Sequence, residues 1–174
     1  MKIFAFGASN SSQSINKAFV TYATGLLENA EVEVADLNDY ELPLFSVDRE
    51  KANGIPELAQ QFRNKIGEAD AVVISFAEHN GYLTAAYKNL FDWMSRIDRN
   101  IYQDKPSILL SASPGPRGGG NALAAALASA SHVRMDVKGS FSCPRFYDNF
   151  DLGNGRLIND ELQAGLEEVL SGLG

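Results

Sequence analysis

Cysteine is nearly absent. Cys143 is the only one in 174 residues, so the chain can form no internal disulfide and no cysteine cluster for a metal. It lies between Ser142 and Pro144 with no obvious base partner, and the thiol reads as a buried or incidental group rather than a nucleophile. Positive charge is scarce too. Fifteen Lys and Arg face 22 Asp and Glu, for a formal net charge of -7 and an isoelectric point of about 4.8. Nonspecific nucleic-acid binding needs a basic footprint that this balance lacks. No apolar run approaches the roughly 20 residues that cross a bilayer. Met1-Lys2-Ile3-Phe4 enters a strand pattern without a signal-peptide layout. The expectations are a cytoplasmic, reduced setting and no membrane or nucleic-acid partner. Also missing are the glycines and lysine of a P-loop, a GxGxxG turn, a catalytic triad, a metal-ligand cluster, internal repeats and interdomain linkers. What is present is an ordinary globular balance, 45% hydrophobic and 21% charged, in a length that suits one domain over residues 1–174.

Hydrophobic periodicity organises the chain. Strand patterns cover Lys2–Gly7, Glu31–Leu37, the buried run Asp70–Ser75, Ser107–Ala112 and, more weakly, His132–Val137. Helical patterns start at Ile15, near Ile55-Pro56, at Leu83, at Asn121 and at Ile158. Asn38–Asn53 reads as a loop whose Leu42-Pro43-Leu44-Phe45 patch folds over the sheet edge or rims a cleft. Phe141–Arg156 reads as a long irregular segment. Five strands alternating with five helices predict an α/β fold, a doubly wound parallel sheet in three αβα layers. In strand order 2-1-3-4-5, strands one and three flank the switch point where ligands bind.

Three loops at the carboxyl ends of strands have the character of ligand loops. The first, Ala8–Asn16, contains Ser9, Ser11, Ser14, Ile15 and Asn16. Its amides, its hydroxyls and the orphan amides of the following helix favour an anion. A serine-rich helix cap would read the same way. The second runs from Ser75 to Tyr82 and offers Ala77, Glu78, His79, Asn80 and Gly81. Its backbone groups suit the polar edge of a planar ligand, and Asn80-Gly81 favours a turn at positive φ. The third, Ser113–Gly120, contains Ser113, Pro114, Gly115, Gly118 and Gly119, and its glycines allow close approach to a ligand; a flexible turn is the plainer alternative.

These residues resemble the NAD(P)H-dependent FMN reductase family, which includes quinone, azo-dye and chromate reductases of flavodoxin-like fold. The family's phosphate loop has the form G-S-x-R-x-x-S-x-N. Ser9, Ser14 and Asn16 match it, while Ala8 stands for the glycine and Ser11 for the arginine. A second motif resembles P-E-Y-N-G-S followed by L-K-N-x-x-D-W. Glu78, Asn80, Gly81, Lys88, Asn89, Asp92 and Trp93 match, with Ala77, His79, Tyr82 and Tyr87 as departures. Ser113-Pro114-Gly115 and Gly118-Gly119 match the third, glycine-rich loop. The resemblance implies FMN held by the residues named in the three loops, reduced by NAD(P)H and reoxidised by a small acceptor such as a quinone or free flavin. It implies no catalytic side chain and no metal. Losing the loop arginine removes one charge-assisted hydrogen bond to the phosphate. His79 could stack beside the ring or donate to a substrate oxygen, and Tyr82 could narrow access. The glycines of the third loop are expected to leave room for the nicotinamide, with Arg117 as a partner for a dinucleotide phosphate. Trp93, off the main apolar face of its helix, and the small-residue helix 121–131 suit a second packing surface, and the family assembles as dimers or higher oligomers; a homodimer or homotetramer is expected. Two other readings stand beside the enzyme: a flavodoxin-type one-electron carrier that does not turn over NAD(P)H, and a flavin-free interaction module.

Overall fold

Five strands pair in parallel: β1 (Lys2–Ala8), β2 (Glu31–Ala35), β3 (Ala71–Phe76), β4 (Pro106–Ala112) and β5 (Asp136–Cys143), in spatial order β2-β1-β3-β4-β5. The computed structural model describes all residues, 1–174. The helices are α1 (Ile15–Gly25), α2 (Val47–Asn53), α3 (Glu57–Glu68), α4 (Ala85–Ile97), α5 (Gly120–Ser129), α6 (Phe146–Asn149) and α7 (Asp160–Leu170). This is the flavodoxin-like order, with the switch point between β1 and β3.

Alternation along the strands builds two cores. Ile3, Ala5, Val73, Ile108 and Leu110 face α1 and α7, meeting Phe19, Val20, Leu166 and Leu170. Phe4, Phe6, Val72, Ile74 and Leu109 face the opposite layer of α3, α4 and α5, meeting Phe62, Tyr87, Met94 and Leu123. Adjacent residues diverge because strand side chains alternate between faces, and the parallel register Phe4↔Val72, Phe6↔Ile74 keeps each set together. β3 is buried at all six positions, as a strand covered on both sides must be. No helix is long and apolar enough to cross a membrane.

Four expectations need correction. The last strand is Asp136–Cys143, not His132–Val137. Val133 and Met135 are buried, but they lie in the turn that closes α5; the strand itself is a half-exposed edge, polar at alternate positions. Phe141–Arg156 is not irregular. It holds the end of β5, α6 and an antiparallel pair, Phe150–Asp151 with Arg156–Leu157. Asn38–Asn53 contains α2 and most of a 3-10 turn, Leu37–Tyr40. Trp93 is not a surface residue either. Its Nε1 donates to the Pro43 carbonyl at 2.7 Å and its ring meets Phe45 edge-on at 5.0 Å. Asn89 completes the attachment, donating to the Leu42 carbonyl and accepting from the Phe45 amide at 2.8 Å. The Leu42–Phe45 patch thus covers α4 within one chain, and Trp93 offers nothing to a second.

Candidate functional site

The carboxyl ends of β1, β3 and β4 carry the three loops, and each is folded by a different device. β1 stops at Gly7 and Ala8. A Cβ on Gly7 would stand 2.5 Å from the Lys17 amide nitrogen and 2.8 Å from its Cα, so only glycine lets the first turn of α1 press against the strand. Ser14 caps α1, its Oγ accepting from the Lys17 amide at 3.2 Å. Ser9 Oγ accepts from the Ser11 amide at 3.2 Å and Ser11 Oγ from the Gln13 amide at 3.3 Å. Each of these hydroxyls therefore accepts from the backbone and keeps its own proton to donate. The amides of Asn10 and Ser12 donate to no group of the chain, and those of Ile15 and Asn16 are first-turn orphans. The loop is rich in donors and has no free cation: Lys17 is paired with Asp36. That hydrogen bond from Lys17 is the main reason the Asp36 carboxyl is held below its usual range.

The side chain of Asn16 is engaged within the protein, while its backbone amide stays among the orphans of the loop. Asn16 is 2% exposed. Its Oδ1 accepts from the Ala112 amide at 2.9 Å and the Ser75 hydroxyl at 2.8 Å, and its Nδ2 donates to the Ala112 carbonyl at 3.0 Å. The side chain staples α1 to the ends of β3 and β4 and is not available to a ligand.

The second loop is a hairpin, Glu78–His79 against Tyr82–Leu83, turned by Asn80 at φ 52 and Gly81 at φ 77. Two successive positive φ values define the turn type that asparagine and glycine favour. His79, Asn80 and Tyr82 are exposed at its tip. Ala77 is buried at its base and presents only backbone. Thr84, which belongs to none of the matched motif positions, joins this loop to the first: its hydroxyl donates to the Ala8 carbonyl at 2.8 Å and accepts from the Tyr87 amide at 3.2 Å as the cap of α4. The helical pattern expected from Leu83 starts at Ala85 instead, and a threonine at the start of such a pattern is the signal for a cap there.

Glu78 does not face open space. Its Oε2 accepts from the amides of Asn121 and Ala122 at 2.8 and 3.1 Å. Those are first-turn amides of α5, whose own N-cap, Gly119, has no side chain to offer.

The third loop is laced to the end of β5. The Arg145 amide donates to Gly115 at 2.9 Å, the Phe146 amide to Ser113 at 3.0 Å, and Ser142 Oγ donates to the Gly118 carbonyl at 3.0 Å. A Cβ on Gly118 would lie 2.4 Å from Ser142 Oγ and 2.7 Å from the Cys143 carbonyl carbon; one on Gly119 would lie 3.3 Å from Ser111 Cβ. Both glycines are buried at positive φ. The space their side chains would take is filled by Ser142, Cys143 and Ser111 of the chain itself. Gly120, where a Cβ would meet nothing within 4 Å, is the glycine with open space beside it. Pro114 and Arg117 are exposed, and Arg117 and Arg145 form no ion pair. Burial pushes the Cys143 thiol up to about 11, so it stays protonated at neutral pH and is no nucleophile.

Two cavities flank the loops. One of about 860 Å³ runs along the outside of α1 from Ser12 and Ser14 to Leu26, walled by Tyr147 and Phe150. The other, about 390 Å³, lies between Asn10, Leu42, Leu44 and Ala86. No cluster of three His, Cys, Asp or Glu is placed to hold a metal.

Known proteins resemble this arrangement along the whole chain. The family described as NADPH-dependent FMN reductase matches residues 1–147. An NAD(P)H-dependent FMN reductase of Pseudomonas aeruginosa is 30% identical over 99% of this chain and 93% of its own. An NADPH:quinone oxidoreductase of Arabidopsis thaliana is 34% identical over 57% of this chain and 55% of its own length. Among solved structures, a flavoenzyme NAD(P)H:(acceptor) oxidoreductase of Paracoccus denitrificans superposes with a TM-score of 0.77 at 22% identity, covering 99% of this chain and 96% of the other.

Proposed function

Because the chain belongs to the NADPH-dependent FMN reductase family, we propose that it is an NAD(P)H-dependent oxidoreductase that carries hydride through bound FMN to a small acceptor such as a quinone or free flavin. The observation that carries this reading is the difference between two helix starts at the same end of the sheet. The start of α5 is closed by Glu78. The start of α1 is open, with hydroxyl protons on Ser9, Ser11 and Ser14 and unengaged amides around them. That donor set suits the FMN phosphate, since loop amides and a helix start stabilise an anion without a lysine.

Bound flavin supplies the redox chemistry; the protein supplies position and electrostatics. Backbone groups of the hairpin, Ala77–Gly81, would meet the polar edge of the ring, and Ser113–Gly115 would form the facing wall. The Ser113 hydroxyl has no partner in the chain, so it is free to donate. Arg117 and Arg145, both exposed beside the third loop, would meet the phosphates of NAD(P)H. No side chain is asked to act as nucleophile or general base. We further propose that the chain works in the cytoplasm as a single domain, 1–174, in a homodimer or homotetramer, a state that light scattering would report directly.

Anaerobic rapid mixing tests the reaction. NADH or NADPH should bleach the visible flavin absorbance, and a quinone added afterwards should restore it. If neither nucleotide bleaches a flavin that dithionite does reduce, the one-electron carrier replaces the enzyme. A purified protein that stays colourless with added FMN would favour the flavin-free module.

A further inference from the structure

We infer that Glu78 is a positioning residue that sets the spacing of the second and third loops by capping α5 across the cleft. This rests on the flavin reading above and goes beyond it, because it takes the Glu78 carboxylate out of direct ligand contact and gives it a different task, leaving only the backbone of Glu78 to meet the ring.

Three observations carry the inference. First, α5 has no cap of its own. Gly119 sits at φ 79 with no side chain, and the first turn of α5 contains no acidic residue. A helix start left bare at the edge of a cleft would hold unsatisfied amides. Second, one carboxylate oxygen of Glu78 takes two of those amides, Asn121 at 2.8 Å and Ala122 at 3.1 Å, from 43 residues away in sequence. Hydrogen bonds from amides to a charged acceptor, at the positive end of a helix, are among the stronger kinds. Third, the hairpin approaches α5 closely at a second point: a Cβ on Gly81 would lie 3.5 Å from Asn121 Nδ2. Glu78 begins the hairpin and Gly81 completes its turn, so the hairpin is bonded to α5 at its root and lies close beside it at its tip. α5 in turn continues the third loop through Gly119, which packs against Ser111. The two loops that would form the walls around the flavin ring are thereby one unit, with the Glu78 carboxylate as its clasp. The same carboxylate occupies the second helix start facing the cleft, leaving α1 as the place for an anion.

The test compares Glu78→Ala, Glu78→Gln and, as a control, Asn159→Ala. Asn159 caps α7, also with two amides, both at 3.1 Å, but on the opposite face of the sheet from the hairpin. In the flavin-free protein, the Asn121 and Ala122 amides should exchange hydrogen at least about tenfold faster in Glu78→Ala. With flavin, Glu78→Ala should weaken FMN and riboflavin equally, by about tenfold each, because the ring walls loosen and the phosphate loop does not. Glu78→Gln retains an oxygen for the same two amides and should stay within about threefold of the parent. Asn159→Ala should lower Tm without moving either affinity. Unchanged flavin affinities in Glu78→Ala, or a loss confined to FMN, would overturn the inference. Should Glu78→Ala not fold, Glu78→Gln decides through the same two readouts: a loss of about tenfold for both flavins while the Asn121 and Ala122 amides stay as protected as in the parent would overturn the inference, because the flavin would then need the charge and not the clasp. A parent protein that binds neither flavin would remove the functional reading itself, a result distinct from all of these.

Discussion

α1 and α5 enter the molecule by the same route. Each follows a buried parallel strand, each is reached through a loop rich in small residues, and each points its start at the same end of the sheet. Yet α1 is capped locally by Ser14 and surrounded by unused donors, while α5 has a bare glycine at its cap and is closed by a carboxylate from another loop. The architecture offers two sites for an anion, and side chains decide which one stays open. The lesson is that a glycine-rich loop before a helix is not by itself a phosphate site: in the third loop, Gly118 and Gly119 give up their side chains to let the backbone pack against β4 and β5.

The largest effect is expected at the open site. Ser9 is 6% exposed and its hydroxyl supports the Ser11 amide. An aspartate there keeps an acceptor for the amide but places negative charge where the phosphate is proposed to lie. Ser9→Asp should weaken FMN by about 100-fold through like-charge repulsion, while riboflavin, which lacks the phosphate, loses less than about threefold. Fluorescence titration of both flavins measures this; equal losses would move the phosphate elsewhere.

A second variant separates the staple from the cradle. Asn16→Ala leaves the Ser75 hydroxyl and both polar groups of Ala112 without their partner, and the side chain is buried. The expected cost is about 2–4 kcal/mol, read as a drop in Tm and in the denaturant midpoint. Flavin affinity of the folded fraction should change little for FMN and riboflavin alike. A selective loss of FMN with Tm intact would return Asn16 to the binding set.

A third variant adds the cation that the phosphate loop lacks. Ser11 is exposed and occupies the position of the family's arginine. Ser11→Arg should tighten FMN by about three- to tenfold, an effect that fades as salt rises and that riboflavin does not share. No change at low salt would indicate that residue 11 points away from the bound phosphate.

The strands of the sheet were legible because buried parallel strands are written as continuous apolar runs, and β1, β3 and β4 are such runs; their spatial order came from the fold class that the alternation of strands and helices implies, not from the runs themselves. β5 was not, since it is an edge strand whose alternation is polar, while the neighbouring Val133 and Met135 imitate a strand from within a turn. The three loops were legible from their places after strands. The duties of their residues were less so. Asn16 and Glu78 stood out by type and motif, but what each does depends on partners 96 and 43 residues away, and no local pattern encodes those. The partner of Trp93 is hidden from the sequence for the same reason: the loop that covers it comes from 50 residues earlier.

The smallest expected effect lies beside the open site, in the ion pair of Lys17 and Asp36. It matters to the comparison because Lys17 is the only basic residue in the first turn of α1, and the pair keeps it from neutralising an anion on the loop. The hydrogen bond from Lys17 lowers the Asp36 carboxyl, helped by the Asn38 amide. A carboxyl whose folded pKa lies below its unfolded value adds stability above the unfolded value, near 4, and loses that contribution as pH falls through the folded one. Both side chains are partly exposed, at 39% and 26%, so solvent screening limits the whole effect to under about 1 kcal/mol. Asp36→Asn should therefore lower Tm slightly at pH 7, and the gap between variant and parent should close as pH drops below about 4. The same variant releases Lys17, so FMN should bind slightly more tightly at low salt, by up to about threefold, while riboflavin stays constant. Thermal melts across pH and flavin titrations across salt would check the two halves independently, and a Tm gap that widened on acidification would contradict the assigned sign.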